Sequence, residues 1–365
     1  MMKAQLLAVV LGLCLSSKAS PAPQHSLRCT LDPYPTKPKL TFRPDGTFKI
    51  TVFSDLHYGE NPWDDWGPEQ DANSTRLMKA VLPDEKPDYV VLNGDLITGE
   101  NTFRENSTTL IDEIVGPLND AKIPFSSTHG NHDNNPNITH LEEIEREQKV
   151  APLSYTRAAP EGIGGAGGPG GFSPGANSQA VPDWVDESVA KWISSETAAM
   201  NTAWGPAEER GALAFVHIPP HVVTDVQTKL DPAKNPGLNA GGADTGTPIA
   251  DQLDGIGSVQ ATFTEGNTGK DNAFWDALNE NVKNLHAVIS GHDHGNEWCA
   301  REPTKGVVFC FDKHSGYGGY GQPEWGYGVR NLLFNSSDPR EGVETWIRLE
   351  QGETRARIIL DRNYS

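Results

Sequence analysis

The stretch "FKITVFSDLH", residues 48–57, decides how this chain folds. Its run of β-branched and aromatic residues stops at an aspartate and a histidine two positions apart, which reads as a buried strand whose far end carries polar chemistry. Upstream, "KLTFRPDG" (39–46) reads as the first strand of a hairpin and its Pro-Asp-Gly turn. Downstream, strand and helix patterns alternate. A helix is expected after Ser74, with Leu77, Met78, Val81 and Leu82 on one face, followed by "DYVVLNGD" (88–95) as a buried strand. A second helix carries Leu110, Ile111, Ile114, Val115 and Leu118, and "KIPFSSTHGNHD" (122–133) supplies a third strand. Such alternation means parallel strands in a layered α/β fold.

The pattern continues beyond these units. "THLEEIEREQ" opens with a capping box, Thr139 to Glu142, and is a helix. "EGIGGAGGPGGFSPGAN" (161–177) holds no regular structure and is a loop. "VDESVAKWISSETAAMNTAW" is a helix, and "GALAFVHIPP" is a strand ended by two prolines. A helix near "NAFWDALNENVKNL" leads into "HAVISGHDH", again a β run with a polar end. From Val307 onward short strands ("VVFCF", "ETWIRLE", "TRARIIL") alternate with turns, and no internal repeat is visible. The division expected is a leader over 1–19, an N-terminal segment with the first hairpin strand over 20–44, and one domain over 45–365.

The leader is read from Lys3, the apolar run Leu6 to Leu15 and the small residues up to Ala19, where a signal peptidase would cut. Its apolar part is too short to span a bilayer. An exported, soluble chain is therefore expected. Removing the leader takes Lys3 and Lys18 off a chain whose net charge is already −19, and so acidic a surface repels nucleic acid and anionic lipid. Neither is expected as a partner. A small phosphoester remains compatible if local positive charge, such as bound metal, holds it; oligomeric state is left open. Cys14 leaves with the leader, Cys299 and Cys310 flank a hairpin loop containing "EPTKG" and form the natural disulfide, and Cys29 is left over. Asn73, Asn106, Asn137 and Asn335 head glycosylation sequons, as does Asn363 close to the end.

Five apolar runs stop at metal-binding residue types: Asp55 and His57, Asp95, Asn131 and His132, His217, and His292 and His294. Parallel strands would align these ends along one sheet edge. Residues two apart at an extended strand end project to the same side, so Asp55 with His57, and His292 with His294, each offer two ligands to one cavity. Glycines before Asp95, Asn131 and His292 allow tight turns there. Mixed imidazole and carboxylate ligands suit Zn, Fe or Mn, and two such ions about 3.5–4 Å apart form a clamp for in-line attack on phosphorus.

The blocks Asp55-Leu-His57, Gly94-Asp95, Gly130-Asn-His-Asp133, His217 and Gly291-His-Asp-His294 resemble those of the calcineurin-like metallophosphoesterase superfamily. "SDLHYGEN", "NGDLITGEN" and "GYGGYG" are most similar to its branch related to purple acid phosphatases, common in fungi and plants. The resemblance implies a four-layer αββα sandwich, two mixed sheets flanked by helices, with the metals at the C-terminal strand ends. It implies two ions: Asp55, His57, Asp95 and His294 on one, and Asp95, Asn131, His217 and His292 on the other, Asp95 bridging. It makes His132 a substrate-facing catalytic group oriented by Asp133, with a metal-bound water or hydroxide as nucleophile. Two departures stand out: Thr98 occupies the place of the purple-forming tyrosine, and His57 that of a usual glycine, so the Fe(III)–tyrosinate site is not expected.

Phosphomonoester hydrolysis is the activity this resemblance implies; the same centre would serve a phosphodiesterase, and a silent metal-binding relative is the reading from another class. Asp293 is expected to point away from the ions into its turn. His129, His221 and His314, and the aromatics Tyr58, Trp63, Trp66, Tyr317 and Tyr320, are secondary candidates for the pocket wall.

Overall fold

The computed structural model describes residues 9–12, 34–164, 182–206, 211–239, 259–261 and 269–365. Cys29 and residues 165–177 of the Gly-rich stretch lie outside these. Two sheets form the centre. The first contains β2 (Phe48–Phe53), β3 (Tyr89–Asn93), β4 (Phe125–Thr128), β9 (Gly328–Phe334), β10 (Val343–Leu349) and β11 (Thr354–Leu360), in the order β11-β10-β9-β2-β3-β4. β2, β3 and β4 run parallel, and β9 to β11 are added antiparallel. The second sheet has the order β1-β5-β6-β8-β7, with β1 (Val9–Gly12), β5 (Ala212–Phe215), β6 (Leu285–Ser290), β7 (Cys299–Arg301) and β8 (Val308–Phe311). There β5, β6 and β8 are parallel. β1 lies within the stretch read as a leader and pairs antiparallel with β5.

Period-two alternation sorts the strand side chains between layers. Phe48, Ile50, Val52, Tyr89 and Val91 face inward and meet Leu213, Phe215, Ala287, Ile289 and Val308 of the other sheet. Phe53, Val90 and Leu92 face outward onto Leu77, Met78 and Val81 of α1 (Trp66–Glu85) and Ile111, Ile114 and Val115 of α2 (Leu110–Ala121). On the far side Ala214, Val288 and Phe309 pack against Val189 and Ile193 of α4 (Glu187–Trp204) and Phe274 and Leu278 of α6 (Asn272–Asn281). The layers are thus helix, sheet, sheet, helix, as expected. Apolar burial on both faces is why β3, β5 and β8 read as nearly unbroken hydrophobic runs, whereas β4 buries the hydroxyls of Ser126, Ser127 and Thr128.

α3 (His140–Val150) begins with the expected capping box, Thr139 and Glu142 each bonding the other's backbone N–H, a motif of about 1 kcal/mol. A short α5 (Val223–Gln227) follows the segment after His217. Three expectations need correction. Residues 39–43 form no ladder strand: the turn at Pro44–Gly46 is present, closed by Gly46 N donating to Arg43 O at 2.9 Å, but only its second arm becomes a strand. α1 begins at Trp66, well before Ser74, because Pro68 is tolerated in a first helical turn. The five polar strand ends are shared by two sheets, β2, β3 and β4 in one and β5 and β6 in the other, and do not lie along one sheet edge.

Candidate metal centre

β2 and β3 keep pairing past their strand ends, Asp55 N donating to Gly94 O (3.1 Å) and His57 N to Asp95 O (3.0 Å). This brings the first two blocks side by side. Asp55, His57, Asp95 and His292 all adopt left-handed backbone, with φ of 53°, 50°, 49° and 70°. Non-glycine residues hold that conformation at a cost of about 1–3 kcal/mol each, and such residues concentrate at functional sites. Asp55 and His57 therefore reach one cavity through two left-handed residues, not as alternate positions of an extended strand. The glycines also differ in role. Gly94 has the positive φ of a tight turn, 83°. At Gly130 and Gly291 the constraint is close approach: a Cβ would lie 2.2 Å from Asp95 Oδ1 and 2.0 Å from Ser54 Oγ, respectively.

Two groups of side chains have ligand atoms close enough to share an ion: Asp55, His57 and His294, and Asp95, His217 and His292. Asp95 Oδ2 lies 2.9 Å from His217 Nε2 and 3.7 Å from His57 Nε2, between the two groups. Asp55 Oδ1 is 3.4 Å from His294 Nε2 and 3.8 Å from His217 Nε2. The distal ring nitrogens are fixed by hydrogen bonds: His57 Nδ1 to Thr98 Oγ1 (3.0 Å), His217 Nδ1 to Asn93 O (2.8 Å) and His294 Nδ1 to Tyr320 O (2.5 Å). Each Nε2 is thereby turned to the centre. His57 Nε2 and Asn131 Oδ1 are buried without a hydrogen-bond partner, and His217 Nε2 has only the Asp95 carboxylate beside it. Buried polar atoms are seldom left so, and these three fit ligand positions on two ions. The residues present fit a dinuclear centre.

The charges agree. Burial drives His57 and His292 down to about 3, leaving neutral imidazoles with lone pairs to offer. Burial also lowers His217, but Asp95 and Asp55 outweigh it and push that imidazole up to about 10. For Asp55 and Asp95 burial favours protonation, yet the neighbouring histidines, His294 for the one and His217 for the other, prevail and hold both below the usual carboxylate range. A proton on His217 thus balances two buried anions, a task an arriving cation would take over with release of that proton.

His132 belongs to neither group. Its N–H donates to Asp95 Oδ1 (2.9 Å), and its side chain is about a third exposed at the centre's rim, where its ring lies 4.9 Å from that of His57. Asp133 is placed otherwise than expected. Its carboxylate accepts from Leu96 N (2.7 Å), Ile97 N (2.9 Å) and Gly130 N (2.7 Å), which braces the loop backbone; the acid against His132 Nδ1 is Glu100, at 2.5 Å. Asp293 is buried in a turn where its N–H donates to Gly291 O at 2.8 Å.

Of the secondary candidates, His129 and His314 are buried, and His314 stacks on His294 with 5.0 Å between centroids. His221 pairs with Asp271 at 2.5 Å. Tyr58 is buried, its hydroxyl at Thr75, whereas Trp63 and Trp66 are exposed. Tyr317 meets Arg76 and Glu350, away from the ligands. Tyr320 takes part directly: its ring stacks on His294 at 4.0 Å and its hydroxyl accepts from His294 N (3.1 Å).

Sequence reasoning missed Glu100 and Asn93. Asn93 donates to Asp312 Oδ2 (2.6 Å) and Ile289 O (3.2 Å), accepts from Thr128 Oγ1 (2.9 Å), and so ties the two sheets together beneath the site. An asparagine closing a fully apolar strand was the available signal.

The calcineurin-like phosphoesterase family matches residues 48–234. A probable inactive purple acid phosphatase 28 of Arabidopsis thaliana is 26% identical, over 85% of this chain and 82% of its own. Phosphatase DCR2 of Saccharomyces cerevisiae is also 26% identical, over 84% of this chain, which spans about half (54%) of that protein. Among solved structures, a dimetal phosphatase from Danio rerio aligns with TM-score 0.49 and 14% identity over 87% of this chain and 99% of its own. Purple acid phosphatase from yellow lupin aligns with TM-score 0.42 and 10% identity, over 86% and 54%. The matched segment carries the strand ends bearing Asp55, His57, Asp95, Asn131 and His217, and on this match the chain belongs to the calcineurin-like phosphoesterase family.

Proposed function

We propose that this chain is an exported dinuclear-metal phosphoric ester hydrolase acting on small phosphomonoesters. The observation that carries the reading is His132: an imidazole outside both ligand groups, held at the rim of the centre by a carboxylate. A site kept only to bind metal has no use for it. Asp55, His57, Asp95 and His294 would hold one ion, and Asp95, Asn131, His217 and His292 the other. When bound, the ions supply Lewis-acid neutralisation of the phosphoryl oxygens and activation of water. His132 Nε2 faces the ester, where it stabilises developing charge or protonates the leaving oxygen. Asp133 keeps the loop carrying Asn131 and His132 against the end of β3.

Several relatives are called probable inactive phosphatases, which favours a second reading, a silent metal-binding protein. Parallel assays of an aryl phosphomonoester and the matching diester, with Zn, Mn or Fe supplied, separate the possibilities. Monoester preference supports the proposal; diester preference makes the chain a phosphodiesterase. No turnover with two metals bound would leave the silent reading. His132→Ala should lower turnover about 10²–10⁴-fold with metal content unchanged.

Export rests on the N-terminal pattern and on the disulfide. Exposed Asn106 and Asn335 suit glycosylation. Among the described residues no helix is long and apolar enough to cross a membrane. Exported protein should begin at Ser20 by mass; an intact N-terminus would remove this part of the proposal.

A further inference from the structure

Glu100 stands in the loop after β3, seven residues beyond the end of that strand, within the block "NGDLITGEN" but at none of the positions assigned to a ligand. Its position is set by backbone. Gly99 N donates to His132 O (3.0 Å), and a Cβ on Gly99 would lie 2.6 Å from that same oxygen, so the two loops are seated directly on each other. The carboxylate then has both oxygens engaged. Oε1 lies 2.5 Å from His132 Nδ1, and Oε2 accepts from Asn135 Nδ2 at 3.0 Å. The Asn135 amide is also within bonding distance of Asn131 O (3.2 Å) and His132 O (3.0 Å), so the group gripping Glu100 is anchored to the peptide that carries the histidine. Asn135 is buried, while Glu100 and His132 each keep about a third of their side chains exposed, 38% and 32%. The pair is held from behind and open in front.

On the reading of this chain as a phosphomonoesterase, we propose that Glu100 is a positioning residue that fixes the His132 ring by accepting its Nδ1 proton in a hydrogen bond, leaving Nε2–H to serve the leaving oxygen. In the step so assisted a water oxygen bonds to phosphorus and gives up one proton to solvent as the bond between phosphorus and the leaving oxygen breaks. The departing oxygen takes the Nε2 proton, and the ring becomes neutral with its Nδ1 proton still on nitrogen and shared with Glu100. Glu100 never touches substrate, and it gains and loses nothing. A carboxylate behind an imidazole works in this way by fixing tautomer and orientation. Asp133 is not available for the role, because three backbone N–H groups occupy its oxygens.

The test compares wild type, Glu100→Ala, Glu100→Gln, His132→Ala and the Glu100→Ala/His132→Ala double variant, all as the metal-loaded full chain, on aryl phosphates graded from good to poor leaving groups. Glu100→Ala should lose about 10- to 100-fold in kcat on the poorest leaving group and far less on the best, with KM and metal content little changed. Glu100→Gln keeps an acceptor oxygen and should recover part of the loss. The double variant should be no slower than His132→Ala, as expected of two residues acting through one group. Equal loss on every leaving group, or additive losses, would overturn the proposal.

A second readout needs no turnover. With ¹⁵N-labelled histidine, the His132 Nδ1 proton should give a downfield, slowly exchanging resonance that disappears in Glu100→Ala and in His132→Ala. A signal that persists in Glu100→Ala overturns the positioning role. A wild type that shows the Glu100-dependent resonance but hydrolyses neither ester would sink the phosphatase reading and leave the pairing itself intact.

Discussion

Thr98 shows what one residue decides in this centre. A phenol at that place would bring a tyrosinate to a metal; the threonine oxygen instead accepts from His57 Nδ1 at 3.0 Å, both groups buried, which leaves Nε2 free to ligate. The residue has moved from ligand to the support of a ligand. Thr98→Val keeps the shape and removes that partner, so His57 is freed to rotate or change tautomer. Metal affinity on the Asp55/His57/His294 side should fall about 10- to 100-fold while the Asp95/His217/His292 side keeps its ion. Metal content after graded dialysis against a chelator reads this directly, and equal retention on both sides would contradict it. Iron-loaded wild type should likewise show no tyrosinate absorption. At this scale the sequence was informative about identity and silent about pairing. Asp55, His57, Asp95, His217, His292 and His294 were legible because a ligand must be one of few residue types at the end of an apolar run. Glu100 was not legible, and Tyr320 only as a candidate for the pocket wall, since their contacts with His132 and His294 join loops 32 and 26 residues apart.

Among the elements, α3 buries acids where a simple amphipathic helix would bury apolar side chains. Its buried face carries His140, Glu143 and Glu147 beside Ile144. Glu147 is satisfied by Ser127, Ser154 and Thr156, but both oxygens of Glu143 lack a hydrogen-bond partner and Oε2 sits 3.5 Å from His129 Nε2. Burial, reinforced by Asp133 and Glu147, raises Glu143 well above the ordinary glutamate value. The folded chain therefore binds a proton there that the unfolded chain releases above pH about 4.5. Stability falls as pH rises from that point toward the folded pKa, the sign for a carboxyl whose native pKa is raised. Glu143→Gln removes the titration. Denaturant unfolding should find the variant more stable than wild type at pH 8, with the advantage gone at pH 4; a constant offset at both would show that the group does not titrate on folding. The helix itself was legible from its capping box, whereas the burial of its acids was not, because a pattern of charges reads as a solvated face. The same limit explains the lost strand at 39–43, where alternation was present but no neighbouring strand takes up its backbone.

At the scale of the whole molecule the centre belongs to neither sheet alone. The family match ends at residue 234, yet His292 and His294 follow β6 in the second sheet, so each candidate ion draws ligands from both halves of the sandwich. Strand and helix alternation could show an α/β chain; which sheet each strand joins depends on pairings between distant residues that periodicity does not encode. The segment bearing the two histidines runs from β6 to β7, and β7 is an edge strand of only three residues. Such a short edge holds weakly by backbone pairing alone. The Cys299–Cys310 disulfide, placed at directly opposed positions of β7 and β8 and buried between the sheets, supplies the missing anchor. By restricting the unfolded chain, a bridge closing so small a loop contributes about 2–3 kcal/mol. The Cys299→Ala/Cys310→Ala pair should lose about that much in denaturant unfolding. Because β7 terminates the histidine segment, metal retention should fall on both sides of the centre, each side having one of the two histidines. Loss of stability with unchanged metal retention would mean that β6 alone positions His292 and His294, and that the bridge serves the sheet edge without reaching the site.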